Sequence, residues 1–196
     1  VLNAQLSGSG TVTFSDASGK KDASNPKFAN QVLAADNSAY LGKFAVSLAH
    51  ISTDEANARG LEISQASALG GALAAPTPDA LTLDSGSGLV AAETLTLDTA
   101  NRGIDLKANA FFDVADGKTL TVKEPIRSEG GFYKRGAGTL ALDSAITFGA
   151  DGTAEPDGAN NALSIKAGAL KIDSPTALAL SFAAGTALEV GSSAAQ

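Results

Sequence analysis

The chain has 196 residues, with 14 Lys and Arg against 21 Asp and Glu, so its formal net charge is −7. It contains no Cys, no Met, no Trp and a single His. These numbers exclude disulfides, thiol nucleophiles, cysteine zinc sites and multi-His metal centres. A negative chain with scattered Lys and Arg also argues against nucleic acid, because phosphate binding needs a concentrated basic surface. We therefore expect no metal, no cofactor and no nucleic-acid partner.

The apolar content is ordinary at 44%, but only 5% of the residues are aromatic. Ala, Leu and Val supply most of it, so we expect an interior of small and branched aliphatic side chains. No apolar run approaches the roughly 18–20 residues that span a bilayer, and residues 1–5 lack the basic and apolar regions of a signal peptide. Either a signal has been removed or this is an internal fragment of a longer chain, and we expect the fragment, as one domain, 1–196.

Short apolar–polar–apolar triplets recur from the first residues to the last, separated by Gly, Asn, Asp, Ala or Ser. Each triplet places its outer side chains on one face of a strand and its middle side chain on the other. The triplets are 12–14, 44–46, 61–63, 81–83, 95–97, 104–106, 112–114, 120–122, 140–142, 146–148, 163–165, 170–172, 178–180 and 188–190. The chain is therefore predicted to be all-β, built from short half-buried strands.

Regular short strands are typical of a sandwich, a barrel or a β-solenoid. The shortness of the strands, the aliphatic interior and the scarcity of two-residue hairpin turns favour the solenoid. Three strands with their turns make a coil of about 20–25 residues, which predicts about eight or nine coils, with the longer gaps as loop insertions.

One stretch carries a more specific motif. Residues 129–142 contain the run G-G-x-x-K-x-G-A-G-T-L-x-L, which begins at Gly130. This pattern resembles the autotransporter-associated β-strand repeat, also called the passenger-associated transport repeat of bacterial autotransporters. Residues 163–172 are similar to the A-G-x-L strand that follows in the family, and residues 6–14 with 36–46 resemble a second, partial copy. The repeat-like segments are thus approximately 6–48 and 94–172.

The resemblance implies a right-handed, single-stranded parallel β-helix passenger, carried to the bacterial surface by a covalently continuous C-terminal outer-membrane β-barrel. The matched glycines are expected at turns that need positive φ or a close backbone approach, and the matched aliphatic residues are expected to stack in the interior. These structural repeat residues are Gly136, Gly138, Thr139, Leu140, Leu142, Gly168, Leu170 and Ile172.

Phe132, Tyr133, Lys134 and Arg135 are the candidate binding residues, because two aromatic side chains stand beside two cations. The alternative interpretation is a strand that leads into the motif's turn, since the family has Leu-x-Lys at this place. A surface cluster of this kind would suit contact with a partner.

Patterns that would indicate catalysis or metal binding are weaker than the repeat motif. Residues 84–88 contain an Asp-Ser-Gly like that around a serine-protease nucleophile, and His50 precedes it. Leu83 stands where that motif has Gly, and too few residues separate His50 from Ser85, so we expect a turn after the strand 81–83. Asp-Gly pairs at 151–152 and 157–158 fit neither an EF-hand nor the repeated G-G-x-G-x-D nonapeptide that binds calcium, so we expect a loop there. Asp84, Asp98, Asp143 and Asp173 each follow a triplet and could line one edge of the stack.

Three functions remain open at this point. The first, which we expect in preference to an enzyme because aromatic residues for stacking on sugars are scarce, is a structural or adhesive passenger segment of a cell-surface or secreted autotransporter. Its partner would be a host-cell or matrix surface, a glycan or another bacterial cell. The second is a β-helical enzyme acting on polysaccharide, or a passenger that carries a protease. A carboxylate cluster in a concave groove would favour that enzyme. The third is a scaffold that only assists folding and secretion.

Overall fold

The computed structural model describes residues 1–15, 30–48, 59–148, 163–172 and 180–181. Their regular structure is β-strand, apart from a 3-10 helix at Ala66–Leu69. The strands are β1 Thr11–Ser15, β2 Gln31–Leu33, β3 Lys43–Ser47, β4 Gly60–Ile63, β5 Thr77–Leu83, β6 Gly88–Ala91, β7 Leu95–Leu97, β8 Arg102–Leu106, β9 Ala110–Val114, β10 Thr119–Val122, β11 Ile126–Ser128, β12 Phe132–Arg135, β13 Thr139–Leu142, β14 Ile146–Phe148, β15 Leu163–Ile165, β16 Ala169–Ile172 and β17 Leu180–Ser181.

These strands form three parallel sheets, because each strand pairs with its equivalent one coil away. Sheet one contains β1, β3, β5, β8, β11, β14 and β17, sheet two contains β2, β4, β6, β9, β12 and β15, and sheet three contains β7, β10, β13 and β16. Hydrogen bonds between adjacent coils show the coil length. Ser144 and Glu124 are 20 residues apart in the sequence, and Thr119 and Thr94 are 25 apart. The predicted parallel β-solenoid with coils of this length is confirmed.

Loop insertions lengthen other coils. Lys43 and its partner Asp79 on the next coil are 36 residues apart. Such coils use more chain for each strand of a sheet, and the longest sheet holds seven strands within the described ranges.

The inward side chains of all three sheets form one hydrophobic core. In sheet three, Leu140 stacks in register between Leu120 and Leu170, and Leu142 is equally buried. Ile172 lies in register with Leu142 but is 47% exposed. Its predicted interior position is therefore corrected, since β16 is the outermost strand of its sheet in the described part of the chain.

Most aromatic rings of the described residues lie inside, which corrects the expectation of an aliphatic interior, whereas Phe111 and Tyr133 lie on the outer face of sheet two. Phe132 is central, with its ring centroid 5.9 Å from that of Phe112 and 5.7 Å from that of Phe148. Stacking along the solenoid axis gives each ring aromatic neighbours from adjacent coils. Every phenylalanine in the described ranges is buried: Phe14, Phe44, Phe111, Phe112, Phe132 and Phe148.

The outward face of sheet one carries a network of paired charges. Arg127 donates from Nε and Nη2 to the two carboxylate oxygens of Asp105, at 3.0 and 2.9 Å. Lys107 Nζ lies 3.1 Å from Asp105 and also contacts Glu129. The Asp105 side chain is only 4% exposed. These charges bind one another across coils and stabilise the stack.

Candidate functional site

The predicted binding segment 132–135 is strand β12, and its side chains alternate between two environments. Phe132 and Lys134 are fully buried, whereas Tyr133 and Arg135 are half-buried on the outer face. All four residues thus lie in a strand, as the alternative interpretation has it, and two of the four side chains reach the outer face. Only Tyr133 and Arg135 remain available for a surface contact.

Lys134 occupies an inward position that Leu89 and Phe112 occupy on the two preceding coils. Its ammonium group donates to the carbonyl oxygens of Arg135 at 2.5 Å, Gly136 at 2.7 Å and Ala167 at 3.1 Å. Burial lowers the pKa of Lys134 to about 8, against the opposing charge of Asp113. The lysine of the repeat motif therefore joins the turn of its own coil to the turn of the next.

The motif glycines lie at this same turn. Gly136 and Gly168 have φ values of 69° and 72°, which side chains adopt only with strain. A Cβ on Gly138 would lie 2.6 Å from the Lys118 carbonyl oxygen, so this glycine permits a close backbone approach. All three glycines thus lie at the turn between two coils, where a positive φ or a close backbone approach disfavours a side chain.

The outer face of sheet two presents a small aromatic and cationic surface. The Arg135 guanidinium lies 4.6 Å from the centroid of the Phe111 ring, and Lys166 Nζ lies 4.9 Å from that of the Tyr133 ring. Tyr133 also donates to Asn109 Oδ1 at 3.0 Å. Because these contacts hold the side chains in place, they offer a preorganised surface.

A pocket of about 660 Å³ opens at the corner of the solenoid that precedes sheet one. Three consecutive coils line it through segments 76–78, 98–103 and 123–125. Thr77 pairs with Arg102 but Leu81 pairs with Ile104, so β5 carries an irregularity with two additional residues at this corner. This bulge brings the Pro78 backbone onto Gly103, where an added Cβ would lie 2.8 Å from the proline Cα.

Glu124 is the buried polar group of this pocket, with 6% of its surface exposed. Its Oε1 accepts a hydrogen bond from the Thr99 backbone N–H at 3.2 Å. Burial raises the pKa of Glu124 to about 7, and the charge of Asp98 acts in the same direction, whereas the Thr99 bond and the charge of Arg102 oppose it. A carboxyl group with this pKa changes charge near neutral pH.

Arg102 stands behind the pocket and is only 4% exposed. Its guanidinium donates to the carbonyl oxygens of Gly71 at 3.1 Å, Gly42 at 3.0 Å and Ala80 at 3.4 Å. Burial lowers the pKa of Arg102, while Glu124 and Tyr40 favour its charge. The arginine therefore stabilises the corner by donating hydrogen bonds to backbone carbonyl groups.

The other predicted sites are not brought together. The segment after β5 forms a turn in which the Ser87 N–H donates to the Asp84 carbonyl oxygen at 2.8 Å. Asp98 and Asp143 directly follow strands β7 and β13 of sheet three, but Lys123 takes the equivalent position after β10, between them. Asp84 follows a strand of sheet one. His50, Asp173 and the Asp-Gly pairs at 151–158 lie outside the described residues.

Sequence reasoning missed Glu124. The only signal is its place in Lys123-Glu124-Pro125, directly after the triplet 120–122. A glutamate in a turn is normally solvated, and only the stacking of three coils buries this one.

No protein-family model, curated protein or solved structure matches the chain. Within the described ranges, no helix is long and apolar enough to cross a membrane. The same ranges hold no group of three or more His, Asp or Glu residues arranged to bind a metal ion.

Proposed function

We propose that this chain is a structural and adhesive segment of a bacterial autotransporter passenger, displayed at the cell surface on a β-solenoid. The observation that carries the proposal is the role of the motif residues. The residues behind the sequence resemblance, Lys134, Gly136, Gly138 and Gly168, are those that close the turn between two stacked coils. The motif is thus explained as a device for stacking coils.

A stacked solenoid presents long lateral faces suited to extended binding surfaces. The face that carries Tyr133 and Arg135 is the proposed contact with a glycan, a matrix or host-cell surface, or another bacterial cell. The continuous outer-membrane β-barrel belongs to the same proposal. Polysaccharide cleavage is less well supported, because Asp98 and Glu124 share a pocket but none of its lining residues is an aromatic on which a sugar could stack.

The test is binding of the purified chain to glycan arrays, immobilised matrix proteins and cultured host cells. We expect saturable binding to at least one of these surfaces, weakened about tenfold by Arg135→Gln, which removes a cation held over an aromatic ring. Lys118→Gln is the matched control, because it removes one exposed cation that pairs with Glu93 elsewhere. Absence of binding to every surface would overturn the adhesive role and leave a scaffold for folding and secretion.

A further inference from the structure

The corner pocket combines apolar walls with an acceptor that lacks a donor. Pro76, Pro78, Pro125 and Ala100 line it and are exposed, so the pocket presents apolar surface to solvent. Glu124 Oε1 is bonded to Thr99, but no described residue donates to Oε2. Since Oε2 is also not sealed from solvent, it stays open to the pocket. A nine-tenths-buried carboxyl group with an open oxygen points to a ligand that donates hydrogen bonds.

The charges around this carboxyl group define the ligand further. Asp98 adds a second carboxylate to the lining, which also includes Lys123, the exposed neighbour of Glu124. Arg102 faces Glu124 from β8, but its Nη atoms are hydrogen-bonded to backbone carbonyl groups. The pocket therefore offers acceptors to an incoming group and few unused donors, which disfavours an anionic ligand.

We propose that this pocket binds a small amphipathic cation, with its ammonium group on Glu124 Oε2 and beside Asp98 and its apolar body against the prolines. A volume of about 660 Å³ accommodates a ring or a short alkyl chain. Burying such a body contributes the hydrophobic part of the affinity, and the charged hydrogen bond fixes its orientation. This site is separate from the surface of Tyr133 and Arg135, so either proposal can fail alone.

The test uses three probes of one shape and different charge: phenethylammonium, 2-phenylethanol and 3-phenylpropionate. Titrations followed by amide chemical shifts should show phenethylammonium binding at Thr99, Ala100 and Gly103, with the alcohol and the acid at least tenfold weaker. Affinity for the cation should rise by up to about tenfold between pH 6 and pH 8, as the Glu124 carboxyl group ionises.

Glu124→Gln should weaken phenethylammonium binding at pH 8 by about tenfold and remove its pH dependence, because the amide carries no charge at either pH. Glu93→Gln is the matched control, since Glu93 is exposed and does not line the pocket. The proposal is overturned if the cation does not bind at millimolar concentration, if the alcohol binds as tightly, or if the control variant loses as much affinity as Glu124→Gln.

Discussion

Gly136→Ala is expected to destabilise the protein by about 3–5 kcal/mol, whereas Gly117→Ala costs about 1–2 kcal/mol. Both glycines have left-handed backbones, with φ values of 69° and 68°. The substitutions therefore share the conformational strain and the entropic effect on the unfolded chain. They differ in the room for a side chain. A Cβ on Gly136 would lie 2.8 Å from the Val114 backbone nitrogen, whereas no atom lies within 4 Å of a Cβ on Gly117.

Urea unfolding followed by circular dichroism measures this difference, since the chain has no Trp for fluorescence. A clear gap between the two variants would show that the motif glycine is required by contact between coils. Equal destabilisation would mean that only the backbone conformation matters, and that the turn of 136–138 does not pack against the preceding coil.

Glu124→Gln is expected to make the protein more stable at pH 8, by up to about 3 kcal/mol, and to leave its stability nearly unchanged at pH 4. The folded protein holds the proton of Glu124 up to a pKa of about 7, whereas an ordinary glutamate releases it near 4.5. Between these values the folded state binds more protons than the unfolded state. Wild-type stability from this group is therefore complete below about pH 4.5 and is lost as the pH rises through 7.

The measurement is the free energy of unfolding of wild type and variant at several pH values from 4 to 8. Comparing them isolates Glu124, because His50 and every other titrating group are present in both. Glu93→Gln is the matched control, because Glu93 is exposed and lies outside the pocket. A difference for Glu124→Gln that does not change with pH would show that the carboxyl group is solvated rather than buried.

The strand positions and the coil length could be predicted from the sequence, because both depend on local alternation. The triplet 140–142 predicts two inward leucines, and both are buried. The glycines at the turns can be predicted equally well, since Gly136 and Gly168 belong to a motif with fixed spacing. Ile172 shows the limit of this reasoning, because alternation indicates which face a residue occupies but not whether another coil covers it.

The buried polar groups could not be predicted in the same way. Alternation from Phe132 places Lys134 inside, but the Ala167 carbonyl that accepts from its ammonium group lies 33 residues further along the chain. The burial of Glu124 depends on segments of three coils and on the irregularity in β5. Such sites are created by contacts between coils, and a single coil's sequence contains only one part of each.

Disulfide formation between engineered cysteines tests the in-register stacking on which the turn, the pocket and the proposed function all depend. The natural chain has no cysteine, so a pair introduced at Thr96 and Thr121 would be the only one present. These residues pair in register on the outward face of sheet three, where strands about 4.8 Å apart suit disulfide geometry.

The control pair is Thr96→Cys with Lys123→Cys, which is displaced by two residues and separates the Cα atoms by about 8 Å, too far for an unstrained bridge. We predict that the first pair oxidises readily with an unchanged circular dichroism spectrum and that the second stays reduced. Oxidation of the displaced pair in preference to the first would contradict the register and the solenoid built on it.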